Sequence, residues 1–518
     1  MNADTFVLDA ELNKLALEAL DNEVTQSSPG EHAIAPSISN KPYDNLESDV
    51  LRHAHENDGI ISDYLNHGET VVGYGYGGSE SMTLFVKKES GAIIVRKVLS
   101  EFLLTTKWHR DGTDVMLHPC VKAKRQTRYL MNLPNAVKSL LPEVLDVLER
   151  QKVVAEHGNK SYYELSYDMS YIPGIELSKF IREYKPSPKV VAILYAEIFR
   201  YLRVTLHGQR RRIPKGPTLE QSYFSKIERR LGLCKETSPI TFSDALLEAD
   251  EIILNGKRLR NVKTLLRCFR GNPAYNRVLE PRFHSLVVGD TNTENIKIGN
   301  IEPLLKNHED ASFHNPPFTA EELEVKFLDP RAIGFHEEGI DTGLDDPMYD
   351  NKPWHNSLGN YDKIHGEHFD LTFELHEGVP KIDINFHDEH PYVQSYDGID
   401  EYFADAITAA WDLHNPESDV LKNDPYWLFR FVFVMGTHFM AMPPYHFGKT
   451  KEGELLDSVD HQKRPLAVYA EGIKWLNLAL DMLEGKIDNV WGIPVPRLNV
   501  GDAMSSNAFR AGKATFVA

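Results

Sequence analysis

Hydrophobic positions in this chain have a strand-like period over roughly residues 70 to 170 and a helical one over most of the chain beyond residue 175. Met82–Val86 and Ala92–Val98 read as strands around a Lys87–Gly91 turn, and Tyr162–Tyr171 as an aromatic strand ending at Pro173-Gly174. Helices are expected over His118–Leu133, with Val121, Tyr129 and Leu130 on one face, and over Leu177–Tyr184. Ser187–His207 repeats Val191, Leu194, Tyr195, Ile198 and Leu202 at helical spacing. Residues 208–282 read as helix-rich. Pro465–Glu484 carries a stripe of Leu466, Tyr469, Ile473, Leu476, Leu480 and Leu483, opened by a first-turn proline and closed by Gly485. Residues 1–65 form an extension with a short helix at Leu8–Leu20, a polar linker at Thr25–Pro42 and a second helix near Asn45–Glu56. Such an extension covers the next domain or docks a partner.

A chain of 518 residues exceeds one ordinary core, so two or three domains are expected. The formal net charge of -19 argues against nucleic acid and anionic membrane as partners. The most apolar stretch, Trp427–Met442, is interrupted by Arg430 and His438 and falls short of a membrane span. Three scattered cysteines, Cys120, Cys234 and Cys268, support neither a disulfide framework nor a zinc site and suit a reducing cytoplasm. No basic region followed by an apolar run opens the sequence, so no signal peptide is expected.

Candidate chemistry centres on Val287–Ile298. An apolar strand runs into Asp290, four residues intervene, Asn295 comes next, and apolar alternation resumes; a second acid, Asp329, lies in Val325–Arg331. Asp290 can accept a hydroxyl proton, and Asn295 and Asp329 offer the hard oxygens that magnesium takes. Upstream, the glycine-dense loop with Gly75, Gly77, Gly78 and Ser79 can turn backbone N–H groups toward phosphates, with Lys97 on a neighbouring strand. Gln126 or Glu101 is then the partner of Lys97. The backbone from Ser166 to Met169, including Asp168 and Met169, is the expected hinge against the adenine edge. Gly299–Glu324 is an excursion that reads as a substrate lid or a decoration. The acids, histidines and aromatics of residues 335–400 read as polar substrate contacts and structural groups more readily than as a zinc site. The basic run Gln209–Arg212 reads as a solvated face before a phosphate or partner site.

These residues together resemble the aminoglycoside-phosphotransferase-like branch of the protein-kinase-like superfamily, over about residues 70–485. Gly289-Asp290 with Asn295, Leu328-Asp329-Pro330-Arg331, the glycine-rich loop with Lys97, and Asp168-Met169 through Pro173-Gly174 carry the resemblance. A shorter one, in Asp346–Asp350 and His355–Ile364, is to phosphotransferases of bacterial capsule and sugar-biosynthesis clusters. It implies Asp350, His355 and Asp362 as acceptor-binding residues. The fold implied is α+β and two-lobed: an extension (1–65), a β-rich nucleotide-binding lobe (66–165), a large helical lobe for catalysis and acceptor binding (166–499) and a polar tail (500–518). The activity implied is ATP- and Mg2+-dependent phosphotransfer to a hydroxyl of a small polar metabolite, foremost a sugar, in the cytoplasm. The chain departs from the pattern in having Val288 where a histidine is usual, Gln126 for a glutamate, and Asp-Pro-Arg for Asp-Phe-Gly. Two alternatives stay open: an inactive pseudokinase that binds nucleotide or a partner, and a protein kinase.

Overall fold

The computed structural model describes residues 61–75, 82–100, 119–154, 158–237, 242, 244–308, 310–333, 339–447 and 462–498. The chain divides into two units, one running to Gly174 and the next beginning at Ile175.

The first unit is built on a five-stranded antiparallel sheet in the order β1-β2-β3-β5-β4. Its strands are β1 (Thr70–Gly75), β2 (Met82–Lys87), β3 (Ile93–Ser100), β4 (Val144–Val154) and β5 (Lys160–Ser170), with helix α1 (Pro119–Met131) between β3 and β4. Alternation in β2 and β3 sends Met82, Leu84, Val86, Ile94 and Val98 to one face, where Ile61 and Tyr64 complete the core. So the last residues of the extension do cover the sheet; residues 1–60 lie outside the described part. A division at residue 165 would cut β5, whose ladder with β3 runs from Glu164 to Ser170.

The second unit is mainly helical. Its first elements are β6 (Ile175–Glu176), α2 (Leu177–Tyr184) and α3 (Pro188–Val204). The Ser187 hydroxyl caps α3 by accepting from the Val190 N–H, and Pro188 fills its first turn. Next come α4 (Ser225–Thr237), α5 (Trp427–Met440) and α6 (Lys463–Leu483), of which α5 and α6 pack along each other. A three-stranded sheet joins β6 to β7 (Ile296–Ile298) and β8 (Lys326–Phe327), and so ties together the chain on either side of the catalytic-loop candidate.

Two elements differ from expectation. Residues 208–282 include a hairpin, Glu251–Leu254 with Lys257–Arg260, and residues 335–400 include another, Phe369–His376 with Val379–Phe386. Parallel pairing of Ile253 with Lys381 and of Leu254 with Ile382 joins them into one four-stranded sheet. The Gly299–Glu324 excursion is a packed segment. Phe318, Ala320 and Leu323 are buried, and Glu197 of α3 accepts the Ala320 N–H. That anchoring favours decoration over a lid. Among the described residues no helix is long and apolar enough to cross a membrane.

Candidate active site

The catalytic-loop candidate is fixed first by its backbone. Val287 and Val288 are fully buried, and Gly289 then turns with φ +81°. A Cβ at Gly289 would lie 2.5 Å from the Arg331 carbonyl oxygen, so glycine is required both for the turn and for this close approach. The Arg331 N–H donates to the Val288 carbonyl (2.7 Å) and the Leu328 N–H to the Asn295 carbonyl (2.7 Å). These two bonds stitch the Asp329 segment to the loop on both sides of the acid. Asp329 itself has φ +43°, an unusual conformation for a non-glycine residue and one that redirects its side chain.

Three residues of the motif therefore belong to one tightly bonded assembly. The Asn295 amide nitrogen donates to the Asp290 carbonyl oxygen (3.0 Å), and the Asn292 amide donates to Asp290 Oδ1 (2.9 Å). Two cations meet the Asp290 carboxylate. The Lys352 ammonium pairs with Oδ1; Arg331 Nε lies 3.1 Å from Oδ2 and 3.8 Å from Asp329 Oδ2, bridging the two acids. Burial alone would raise the Asp290 carboxyl, but Lys352 and Arg331 outweigh it and hold it below the usual carboxylate range. Asp290 is thus ionised at neutral pH. Sequence reasoning singles out neither Lys352 nor Arg331. Arg331 stands inside the Asp-Pro-Arg motif, but Lys352 lies 62 positions from Asp290 with no local signal of the contact.

Lys352 is delivered by a rigid support. It opens the short helix Lys352–Ser357, whose Trp354 is fully buried edge-on against Tyr195 (5.1 Å) and Phe403 (5.0 Å). The preceding turn, Pro347–Asp350, is capped by Asp346, which accepts from the Met348 N–H (3.0 Å) and the Tyr223 hydroxyl (2.8 Å) and pairs with buried Arg430.

Of the three acceptor-binding candidates, Asp350 holds the loop directly and Asp362 holds it through Asn356. Asp350 is buried, with Oδ1 accepting from the Gly289 N–H (2.7 Å) and Oδ2 from the Val288 N–H (2.9 Å) and His207 Nε2 (2.9 Å). The Thr291 hydroxyl donates to the Asp350 carbonyl (3.0 Å). Burial keeps His207 neutral by lowering its pKa against the pull of Asp350. His207 thus supplies an imidazole beneath the loop although Val288 stands at the motif's usual histidine. Asp362 accepts from the Asn356 amide (2.6 Å) and the Tyr396 hydroxyl (2.7 Å), and Asn356 Oδ1 in turn accepts from the Thr293 N–H (3.4 Å). His355 is fully buried and stacks on Phe439 at 3.8 Å between centroids. The acceptor-binding assignment of Asp350 and Asp362 is corrected on these grounds: both are buried with their oxygens engaged by the protein, while neither ring nitrogen of buried His355 has a hydrogen-bond partner.

In the first unit, Arg96 and Lys97 point to opposite faces of β3. Arg96 clamps Asp168 with Nε to Oδ1 (2.6 Å) and Nη2 to Oδ2 (2.8 Å), and reaches Glu69 (2.7 Å) through Nη1. The nucleotide-binding reading of Asp168 and Met169 is corrected accordingly. Ser166 to Met169 is paired with β3 on one side and β4 on the other, so its backbone is committed within the sheet, and the Asp168 carboxylate is bound by arginine. Sheet pairing ends at Ser170, and Tyr171–Gly174 is the segment that leaves it. Lys97 shares a face with its cross-strand neighbour Tyr167, whose hydroxyl bonds Gln126 of α1. Gln126 therefore stands on the lysine side of the sheet. Gly75 ends β1 opposite Thr83. Gly77, Gly78, Ser79 and Glu101 lie outside the described residues.

For a divalent metal, the donor chemistry at the loop fits. Asn295 has its amide nitrogen tied to the Asp290 carbonyl, which turns its amide oxygen the other way, and Asp329 adds a partly exposed carboxylate. Magnesium with a nucleotide takes one or two such protein oxygens. Among the described residues no cluster of three or more His, Cys, Asp or Glu side chains is placed to hold a metal by itself. The Arg210–Arg212 run is engaged by acids and carbonyls: Arg211 pairs with Asp419, Arg212 with Asp341, and Arg210 with the Ile340 carbonyl.

No family model and no curated protein matches the chain. Among solved structures it is similar to the amicoumacin kinase hAmiN in complex with AMP-PNP, Ca2+ and Ami, at 10% sequence identity and a TM-score of 0.38, covering 82% of this chain and 95% of that one.

Proposed function

We propose that the protein transfers the terminal phosphoryl group of ATP to a hydroxyl of a small polar molecule, with a sugar or sugar-like compound as the first candidate. One observation carries the reading. A buried, ionised Asp290 sits on a loop bonded into Asn295 and into the Asp329 segment, with two cations on its carboxylate. Phosphoryl transfer needs this kind of positioned charge and little covalent help from protein groups.

In the reaction, the acceptor oxygen forms a bond to the γ-phosphorus as the bond to the β-phosphate oxygen breaks. Asp290 orients the hydroxyl and takes its proton, and ADP leaves. Lys352, on the same carboxylate, is placed to offset charge that builds on the transferring group. Asn295 and Asp329 would hold Mg2+, which when bound neutralises phosphate charge. Lys97 is the phosphate cation that the first unit offers. A cytoplasmic location is part of the same proposal, since ATP use and three scattered cysteines both suit a reducing cytoplasm.

A second reading is a nucleotide-binding protein without turnover. It is favoured by Arg331, whose guanidinium already bridges the two acids that transfer and metal binding require. Mg2+-dependent ADP release over a panel of sugars and related hydroxyl compounds separates the two. Wild type should show acceptor-dependent turnover, and Asp290→Asn should lose it by about 10²–10⁴-fold, the range for a positioned base. Wild type without acceptor-dependent turnover would leave the second reading standing, whereas acceptor-dependent turnover unchanged in Asp290→Asn would overturn the role given to Asp290.

A further inference from the structure

Two cations are neighbours on β3, Arg96 and Lys97, and a strand sends consecutive side chains to opposite faces of its sheet. Which of them takes which face depends on register, and a slip of one residue would exchange them. The hydrophobic pattern of β3 does not choose. Ile94 and Val98 lie on the side of Arg96, and Val95 and Leu99 on the side of Lys97, so both faces are apolar around the pair.

Arg96 supplies the choice, because all five of its N–H donors have acceptors. Nε donates to Asp168 Oδ1 (2.6 Å), and Nη2 to Asp168 Oδ2 (2.8 Å) and Glu69 Oε1 (3.2 Å). Nη1 donates to Glu69 Oε2 (2.7 Å) and to the Tyr64 carbonyl (2.6 Å). Asp168 stands directly across the ladder on β5, but the other three bonds come from outside the sheet, from residues 61–69. All three charged side chains are buried. The compact ammonium of lysine does not match this forked geometry, so a slipped register would leave buried carboxylates poorly paired.

Residues 61–69 are tied down along their length. Ile61 and Tyr64 pack on the Arg96 face with Leu84, Val86, Ile94 and Val98. The Tyr64 hydroxyl donates to Glu164 (2.6 Å), which also accepts from the Ser100 hydroxyl (2.6 Å) and Arg150 Nε (2.8 Å). A turn closed by the Glu69 N–H on the Asn66 carbonyl (3.1 Å) sets up Glu69, whose carboxylate accepts in return from the Asn66 N–H (2.8 Å). Burial alone would raise the Glu69 carboxyl, but the bonds from Arg96 and Asn66 outweigh it and hold it below the usual carboxylate range.

We propose that residues 61–69 are a positioning strap for nucleotide binding: by clamping Arg96 on one face of β3 they hold Lys97 on the other, where it meets the nucleotide phosphates. Glu69 and Arg96 are then positioning residues that act through Lys97. The phosphate role of Lys97 rests on the phosphotransfer reading; the clamp does not.

Calorimetry with Mg·AMP-PNP on the full chain tests the strap through a double-mutant cycle of Glu69→Ala and Lys97→Met. Glu69→Ala removes the main hold of the strap on Arg96 and leaves the Arg96–Asp168 pair across the ladder in place. It should weaken nucleotide binding by about threefold or more, with the isosteric Glu69→Gln in between. In the Lys97→Met background the same change should alter affinity by less than about twofold, because its effect passes through that lysine. Thermal denaturation of each variant ensures that binding is measured on folded protein. A Glu69→Ala variant with a lowered Tm and unchanged nucleotide affinity would mean that the strap only stabilises the fold, and overturns the proposal. Equal weakening in both backgrounds overturns it as well. If Lys97→Met weakens binding and Glu69→Ala does not, this inference alone falls. If Lys97→Met binds nucleotide as wild type does, the phosphate role of Lys97 falls first and takes the strap's role with it.

Discussion

Burial governs how Asp362 titrates, and the consequence is measurable as a pH dependence of stability. Desolvation raises its carboxyl from the ordinary 3.8 to about 6, against the bonds from Asn356 and Tyr396 that favour the anion. A carboxyl raised in the folded state keeps its proton there longer than in the unfolded chain. Its contribution to stability is complete below pH about 4 and is lost as pH rises through about 6. The stability of wild type relative to Asp362→Asn, from urea denaturation, should therefore fall by on the order of 2 kcal/mol between pH 4 and pH 7. A difference constant across that range would mean that Asp362 titrates as an exposed acid does. Residue identity is legible here and direction is not. The density of acids and histidines after residue 335 is plain in the sequence. Nothing in that density shows that Asp350 turns toward the backbone of Val288 and Gly289, or Asp362 toward Asn356, which in turn holds the Thr293 N–H. Side-chain direction is set by packing at long range, by Trp354 between Tyr195 and Phe403 and by the Arg430–Asp346 pair.

At the scale of elements, the antiparallel pair α5 and α6 gives the second unit much of its core, and its closeness depends on two glycines. A Cβ at Gly436 of α5 would meet the Leu476 backbone nitrogen at 2.9 Å and its Cδ2 at 2.8 Å. A Cβ at Gly472 of α6 would meet chiefly the Met440 side chain, with the Met440 backbone nitrogen at 3.0 Å. A flexible thioether can move aside; a backbone in a packed helix cannot. Gly436→Ala should thus cost about 1–3 kcal/mol and Gly472→Ala less, despite alanine's better helix propensity. Thermal denaturation of both variants checks the order, and an equal or reversed cost would show that the helices slide apart freely. Helical periodicity and the first-turn proline make α6 and α3 readable because both are long and amphipathic. The hairpin Phe369–Phe386 is harder to see although its signal is present: apolar residues alternate in Phe369, Leu371, Phe373 and Leu375, and Glu377-Gly378 forms the turn with φ values of +51° and +81°. Its many charged side chains obscure the alternation. The expectation of a hinge at Ser166–Met169 fails for a related reason. The aromatic run Tyr162–Tyr171 has the composition of an edge strand, and only the sheet order shows that β5 is paired on both sides.

Under the proposed phosphotransfer the two units carry different candidate groups, and these can be separated by experiment. The first unit carries Lys97 on the face of its sheet with Tyr167 and Gln126; the second carries Asp290, Asn295 and Asp329. A charged hydrogen bond to phosphate contributes about 1.5–3 kcal/mol, and each 1.4 kcal/mol is tenfold in affinity. Lys97→Met should therefore weaken binding of Mg·AMP-PNP by at least tenfold in calorimetry. Asp290→Asn should leave that affinity within about threefold, since removing a negative charge does not disfavour a phosphate. Asp329→Ala should resemble Lys97→Met, but only with the divalent ion present, because its oxygen acts through the metal. In magnesium-free buffer the Asp329 variant and wild type should bind nucleotide alike, while Lys97→Met remains weaker than both. If Lys97→Met bound nucleotide as wild type does, the first unit would have to hold phosphate by another group. The division of tasks between the two units would then fail at its first step.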